Sequence, residues 1–153
     1  MSKFTQDEIT QLHMLIIQHE FATKQELPEL KAKVRTLNEV VLEEVTDEMV
    51  DMILVGACEG GSNYWIDHVD GAPYWSGNGT DENPSVSQGG TMVFVEDLET
   101  TEHKLTAEKM KDGIRAAAKL RGKTVERFYE DHDAECADMA LQAALFDGKV
   151  IYG

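Results

Sequence analysis

The chain has 153 residues, the size of one domain, with 29 Asp and Glu against 14 Lys and Arg and a formal charge of −15. That balance excludes a general binder of DNA, RNA or anionic membrane surface, since the summed field repels phosphate. Hydrophobic residues make up 42%, enough for a core, which excludes global disorder.

The charge is uneven. Residues 1–45 carry five basic and eight acidic groups, 46–105 one and twelve, and 106–153 eight and nine, so the middle of the chain holds −11 of the total. The N-terminal stretch from Met1 to Glu8 has no apolar targeting segment, and no apolar run approaches the roughly 20 residues of a membrane span. The expectation is a soluble cytoplasmic protein without membrane contact. Cys58 and Cys136 form no C-x-x-C pair and read as small hydrophobes of a reduced compartment, with a disulfide as the alternative.

Thr5-Gln6-Asp7-Glu8 fits a capping box and predicts a helix over about 6–22. Pro28 then opens a second, with Leu27, Leu30, Val34, Leu37 and Val41 at steps of three or four. This narrow seam suits either packing within the chain or a homo-oligomer contact, and residues 1–45 are assigned as an N-terminal helical pair ahead of an α+β domain over 46–153.

Thr46 caps a third predicted helix with Met49, Val50, Ile53, Leu54 and Ala57 inward, ending in a left-handed glycine at Gly60-Gly61. Asn63 to Val69 reads as a strand closed by the turn pair Asp70-Gly71. Residues 71–90 hold five glycines and two prolines around Tyr74 and Trp75, a long loop of the kind that carries ligand or partner contacts. Strands follow at Thr91–Glu96 and His103–Leu105. Thr106 opens a helix with Met110, Ile114, Ala117 and Leu120 inward, Val125–Glu130 adds a helical turn, and Asp133–Phe146 is a further helix ended by Gly148, before a last strand at Lys149–Tyr152. The fold class is α+β: a small, mostly antiparallel sheet packed by helices, with two extra N-terminal helices.

The densest chemical feature is Glu59-Gly60-Gly61-Ser62-Asn63-Tyr64-Trp65. It reads either as a helix cap and core strand, or as a pocket in which an aromatic ring stacks on a flat ligand and Glu59, Ser62 and Asn63 give polar contacts, with Tyr74 and Trp75 closing over it. Asp138 and Gln142 lie one helical turn apart, and facing inward they need a ligand or a partner. Half of the basic residues fall in 109–127, where Lys111, Arg115 and Lys119 share a helix face, either solvated or, through Arg115 and Lys119, an anion site. Gly122-Lys123-Thr124 lacks the first glycine of a phosphate loop. The cluster Asp131-His132-Asp133-Ala134-Glu135-Cys136 matches no metal spacing and reads as helix capping. No nucleophile motif is present, so no catalytic residue, metal or cofactor is assigned.

The run Glu59–Trp65, His103–Thr106 leading to Gly113-Ile114, then Asp133, Ala137-Asp138, Leu141–Phe146 and Val150–Gly153, resembles a family of small uncharacterised bacteriophage and prophage proteins over roughly residues 48–153. Asp147-Gly148-Lys149 stands where family members carry Gly-Glu. The resemblance implies phage origin, the host cytoplasm, and an accessory role such as counter-defence. Two readings follow: a binding protein that sequesters a small nucleotide-like ligand, or an acidic nucleic-acid mimic that inhibits a basic host protein. An enzyme acting through Glu59, Asp138 or the Asp131 cluster is third.

Overall fold

A computed structural model describes residues 5–19, 42–98 and 100–153, with backbone alone over 15–19. The chain divides into two compact units, Met1–Glu43 and Glu44–Gly153. In the first, helix α1 spans Gln6–His19. Its capping box is reciprocal, with the Glu8 N–H donating to Thr5 Oγ1 at 3.3 Å and the Thr5 N–H donating to Glu8 Oε2 at 2.7 Å. The predicted second helix and its seam, with the homo-oligomer contact assigned to them, lie outside the described residues.

The second unit is α+β, with four helices and a three-stranded antiparallel sheet among its described residues. Helix α2 (Asp47–Gly56) starts where Thr46 Oγ1 accepts the Met49 N–H, and Val50, Ile53, Leu54 and Ala57 are buried as their spacing predicts. After Gly56 the backbone widens into a π turn over Ala57–Gly61. Gly60 has φ 176°, extended rather than the expected left-handed cap. Close approach, not handedness, explains Gly61, where a Cβ would collide with the carbonyl oxygen of Ala134.

The strand expected from Asn63 starts later. The Ser62 carbonyl accepts the N–H groups of Trp65 and Ile66, each at 3.2 Å, so 62–65 is a turn and β1 spans Ile66–Gly71. Strand β2 (Met92–Glu96) is central and β3 (Glu102–Leu105) completes the order β1-β2-β3. The long loop is tied down rather than free to close. Two short 3-10 turns shape it, and the buried carboxylate of Asp51 on α2 accepts from Ser87 Oγ at 2.6 Å and from the Ser76 N–H at 3.2 Å.

Helix α3 (Ala107–Leu120) buries Met110, Ile114 and Ala117, whereas Leu120, expected inward, is 59% exposed in the last turn and Ala118 is buried instead. Helix α4 (Val125–Glu130) buries Val125 and Phe128. Helix α5 (Ala134–Leu145), capped by Asp133, packs on α2, the π turn, α3 and β3. Gly113 lets α3 lie against it, because a Cβ there would stand 2.6 Å from that of Ala144. Ile53, Leu105, Ile114 and Leu141 are fully buried in this core, and burial of each such side chain contributes about 1.5–3 kcal/mol.

Helix α5 ends as Asp147 (φ 53°) and Gly148 (φ 82°) turn left-handed, the Gly148 N–H reaching the Ala143 carbonyl at 2.7 Å. The expected last strand is absent, and Lys149–Tyr152 is irregular because a side chain, not a neighbouring strand, accepts the Ile151 and Tyr152 N–H groups, while the Lys149 N–H bonds the Phe146 carbonyl. No helix among the described residues is long and apolar enough to cross a membrane.

Candidate functional site

Asp138 is the hub of the motif residues. The alanine-rich stripe of α5 turns it inward, where it is buried among the residues of the 62–65 turn. Its Oδ1 accepts from Ser62 Oγ at 2.6 Å and Trp65 Nε1 at 2.7 Å, and its Oδ2 from Tyr64 Oη at 2.7 Å and Gln142 Nε2 at 2.8 Å. Four donors fill the acceptor capacity of a carboxylate. Burial and the bond to Asp138 push the Tyr64 phenol up to about 12, so it stays a donor.

Gln142 extends the cluster. Its Oε1 accepts the N–H groups of Ile151 at 2.8 Å and Tyr152 at 2.7 Å, while Nε2 also donates to the Tyr152 carbonyl at 3.0 Å. The side-chain amide thus pairs with the Tyr152 backbone as a strand would. Tyr152 then lies over Trp65, centroids 5.1 Å apart and planes 8° from parallel, with Phe146 tilted against the same indole at 5.7 Å. The Tyr152 hydroxyl donates to the buried Glu96 at 3.1 Å. His103 Nε2 is 3.4 Å from that carboxylate but not aligned for a hydrogen bond.

This geometry divides the residues singled out by the sequence. Ser62, Trp65, Asp138 and Gln142 are buried partners of one another, and Trp65 at 3% exposure, with Tyr152 stacked on it, is not available to stack on a ligand. Glu59 accepts from Tyr74 Oη at 3.1 Å, and Trp75, 47% exposed, covers Gly77 instead of closing over Tyr64. Asn63 is exposed on the turn. Arg115 pairs with Asp112 at 3.1 Å and Lys111 with Asp47 at 3.3 Å, while Lys119 is exposed.

Gly60, Gly61, Tyr64 and Asp138 do share a cavity of about 450 Å³, completed by Ala134, Glu135, Met139, Val150, Tyr152 and Gly153. Neither Arg115 nor Lys119 lines it. Its lining residue Glu135 accepts from the Arg121 guanidinium, Oε1 at 2.6 Å. Sequence reasoning missed Met139, Val150, Tyr152 and Arg121. The aromatic Tyr152 near two apolar residues was the available signal, but it was spent on a strand that does not form.

The cluster Asp131–Cys136 is held by local bonds. Asp131 pairs with Lys123 at 3.3 Å and Arg127 at 2.9 Å, and Asp133 caps α5 through the Cys136 N–H at 2.8 Å. Cys58 and Cys136 are free thiols, and burial, followed by the charge of Glu59, pushes Cys58 up to about 12, which disfavours the reactive thiolate. The Ser62 hydroxyl donates a hydrogen bond directly to the Asp138 carboxylate, with no histidine between them. The chain matches no family model, no curated protein and no solved structure.

Proposed function

We propose that the chain is a phage accessory protein that acts by binding, holding a small nucleotide-like ligand in the cavity beside Tyr64. The cavity itself carries this reading: about 450 Å³, within the range that encloses small molecules, with mainly apolar walls and few polar groups. Tyr64 is 56% exposed while its hydroxyl is held by Asp138, so its ring is both fixed and accessible for stacking. Met139 and Val150 supply apolar contact, and Arg121, bonded to the lining Glu135, is the cation that a phosphate would meet if it displaced that carboxylate. The motif resemblance to phage proteins supports a role in the host cytoplasm, countering a nucleotide-based defence by sequestration.

Thermal denaturation in the presence of nucleosides, mononucleotides and cyclic dinucleotides tests the proposal. One of them should raise Tm by mass action, and the rise should vanish in Met139→Arg, which fills the cavity from a half-buried position. Unchanged Tm across the set, or a rise that survives Met139→Arg, refutes it. Trp65→Ala is a poor probe because it removes core.

A second reading, an acidic surface that occupies a basic site on a host protein, is supported by the exposed carboxylates of Asp67, Asp70, Asp81, Glu82 and Glu102.

A further inference from the structure

We infer that the outer edge of β1 is a docking strand for an extended segment of a partner protein whose side chains alternate between basic and apolar. The charge part of this inference rests on the acidic-surface reading; the main-chain part goes beyond it.

Sheet order β1-β2-β3 places β1 at an edge, and the backbone bonds described for it run to β2. The Ala72 N–H bonds the Thr91 carbonyl at 2.9 Å and the Asp97 N–H bonds the Trp65 carbonyl at 3.0 Å, which fixes the phase of the ladder at both ends. Hydrogen-bonded and non-hydrogen-bonded pairs alternate in an antiparallel ladder. His68 and Asp70, opposite Val95 and Val93, therefore bond inward, and Val69 and Gly71, opposite Phe94 and Met92, direct their N–H and C=O groups outward. Residues 67–71 are all exposed, and beyond the register shift between Ile66 and His68 the strand contains neither proline nor lysine, two common devices that blunt an edge.

Charge selects the occupant. A second copy of β1 set antiparallel with Val69 opposite Gly71 would place Asp70 directly against Asp70, a destabilising arrangement across a strand pair. A basic segment meets the opposite condition. His68 and Asp70 share the sheet face that carries Glu102 and Lys104 on β3, while Val69, 37% exposed, shares the other face with Phe94. The ring of His68 bridges Asp67 at 2.6 Å and Asp70 at 3.5 Å, the position an incoming Lys or Arg would take. An added strand thus puts basic side chains on the His68–Asp70 face and apolar ones beside Val69, matching the period of two.

Binding of the full chain to a capped, fluorescent peptide alternating Lys and Val tests this, against the same peptide N-methylated at every residue, which keeps charge and loses main-chain donors. The plain peptide should bind about tenfold or more tightly, the ratio expected from two or more hydrogen bonds. Val69→Pro removes an outward N–H at a position where an edge strand tolerates proline, and should weaken the plain peptide similarly while Tm and circular dichroism stay unchanged. Equal binding of both peptides, or full binding by a folded Val69→Pro, overturns the docking strand and leaves the acidic-surface reading standing. Binding of neither peptide overturns both.

Discussion

The indole N–H of Trp65 donates to Asp138 Oδ1 at 2.7 Å, a bond between residues 73 positions apart that ties the turn after the π turn to helix α5. Ser62 shares that oxygen, so one buried carboxylate atom serves two buried donors. Asp138→Ala would orphan both, and a buried donor without a partner costs about 1–3 kcal/mol, giving a loss of about 3 kcal/mol in urea unfolding. Asp138→Asn should cost less but still destabilise, since an amide cannot accept from four donors. A loss of under about 1 kcal/mol for the alanine variant would mean that water replaces the carboxylate, and the hub role would be refuted.

Gln142 is the second half of that cluster and predicts a local effect. With Leu in its place the volume is nearly kept, but the acceptor for the Ile151 and Tyr152 N–H groups is gone. Hydrogen exchange at these two amides should accelerate about tenfold or more, as two backbone bonds open together. Ile114, buried in α3, should keep its protection. Unchanged exchange at Ile151 and Tyr152 would show that the Trp65–Tyr152 stack alone holds the segment.

The two glycines of the motif separate cleanly. Gly60 faces open space where a Cβ would stand and has an extended φ of 176°, so Gly60→Ala should change stability by less than about 0.5 kcal/mol. Gly61→Ala drives a methyl into the backbone of Ala134, and relief requires α5 to shift; overpacking of this kind costs about 1–3 kcal/mol. Thermal unfolding of the two variants decides it, and equal Tm values would reject the close-approach account. The Gly61 variant should also deform the cavity that both glycines line.

The periodic elements were legible in the sequence because helical caps and inward spacing are local properties. Thr46, Thr106 and Asp133 each accept a hydrogen bond from the N–H three residues on, as their positions suggested. Asp138 and Gln142 were also legible as inward polar groups in need of partners. What no local pattern carried was the identity of those partners. Ser62, Tyr64, Trp65 and the backbone at Tyr152 meet them only once the chain has folded, so an internal hydrogen-bond cluster and a ligand pocket have the same sequence signature. Misplaced strand boundaries at Asn63 and Lys149 have one cause: aromatic and β-branched residues suggest a strand, but the backbone there is held by turn bonds to the Ser62 carbonyl and by the Gln142 side chain rather than by a ladder. In the basic stripe, Lys111 and Arg115 pair with Asp47 and Asp112, while Arg121, outside their spacing of four, pairs with Glu135, which lines the cavity.

Asp133 gives the fold a specific acid sensitivity. Its side chain accepts the Cys136 N–H at 2.8 Å, and that bond, with Arg121 nearby, holds its carboxyl below the ordinary value of 3.8. A depressed folded-state pKa means that the charged form is favoured by folding. Its stabilisation is therefore fully present above the unfolded value and is lost as pH falls through the lower folded value. Asp133→Ala should cost about 1 kcal/mol at neutral pH, the usual worth of an N-cap. The gap between wild type and variant should then narrow progressively below pH of about 4, as the wild-type carboxyl protonates. Asp133→Asn keeps an acceptor without a charge and should run parallel to the alanine variant over that window, offset towards wild type. Urea midpoints of the three proteins from neutral to acid pH measure this directly. A wild-type advantage that stays constant through the acid range would mean that a neutral oxygen caps α5 as well as the carboxylate does, and that the ionic part of the cap contributes nothing.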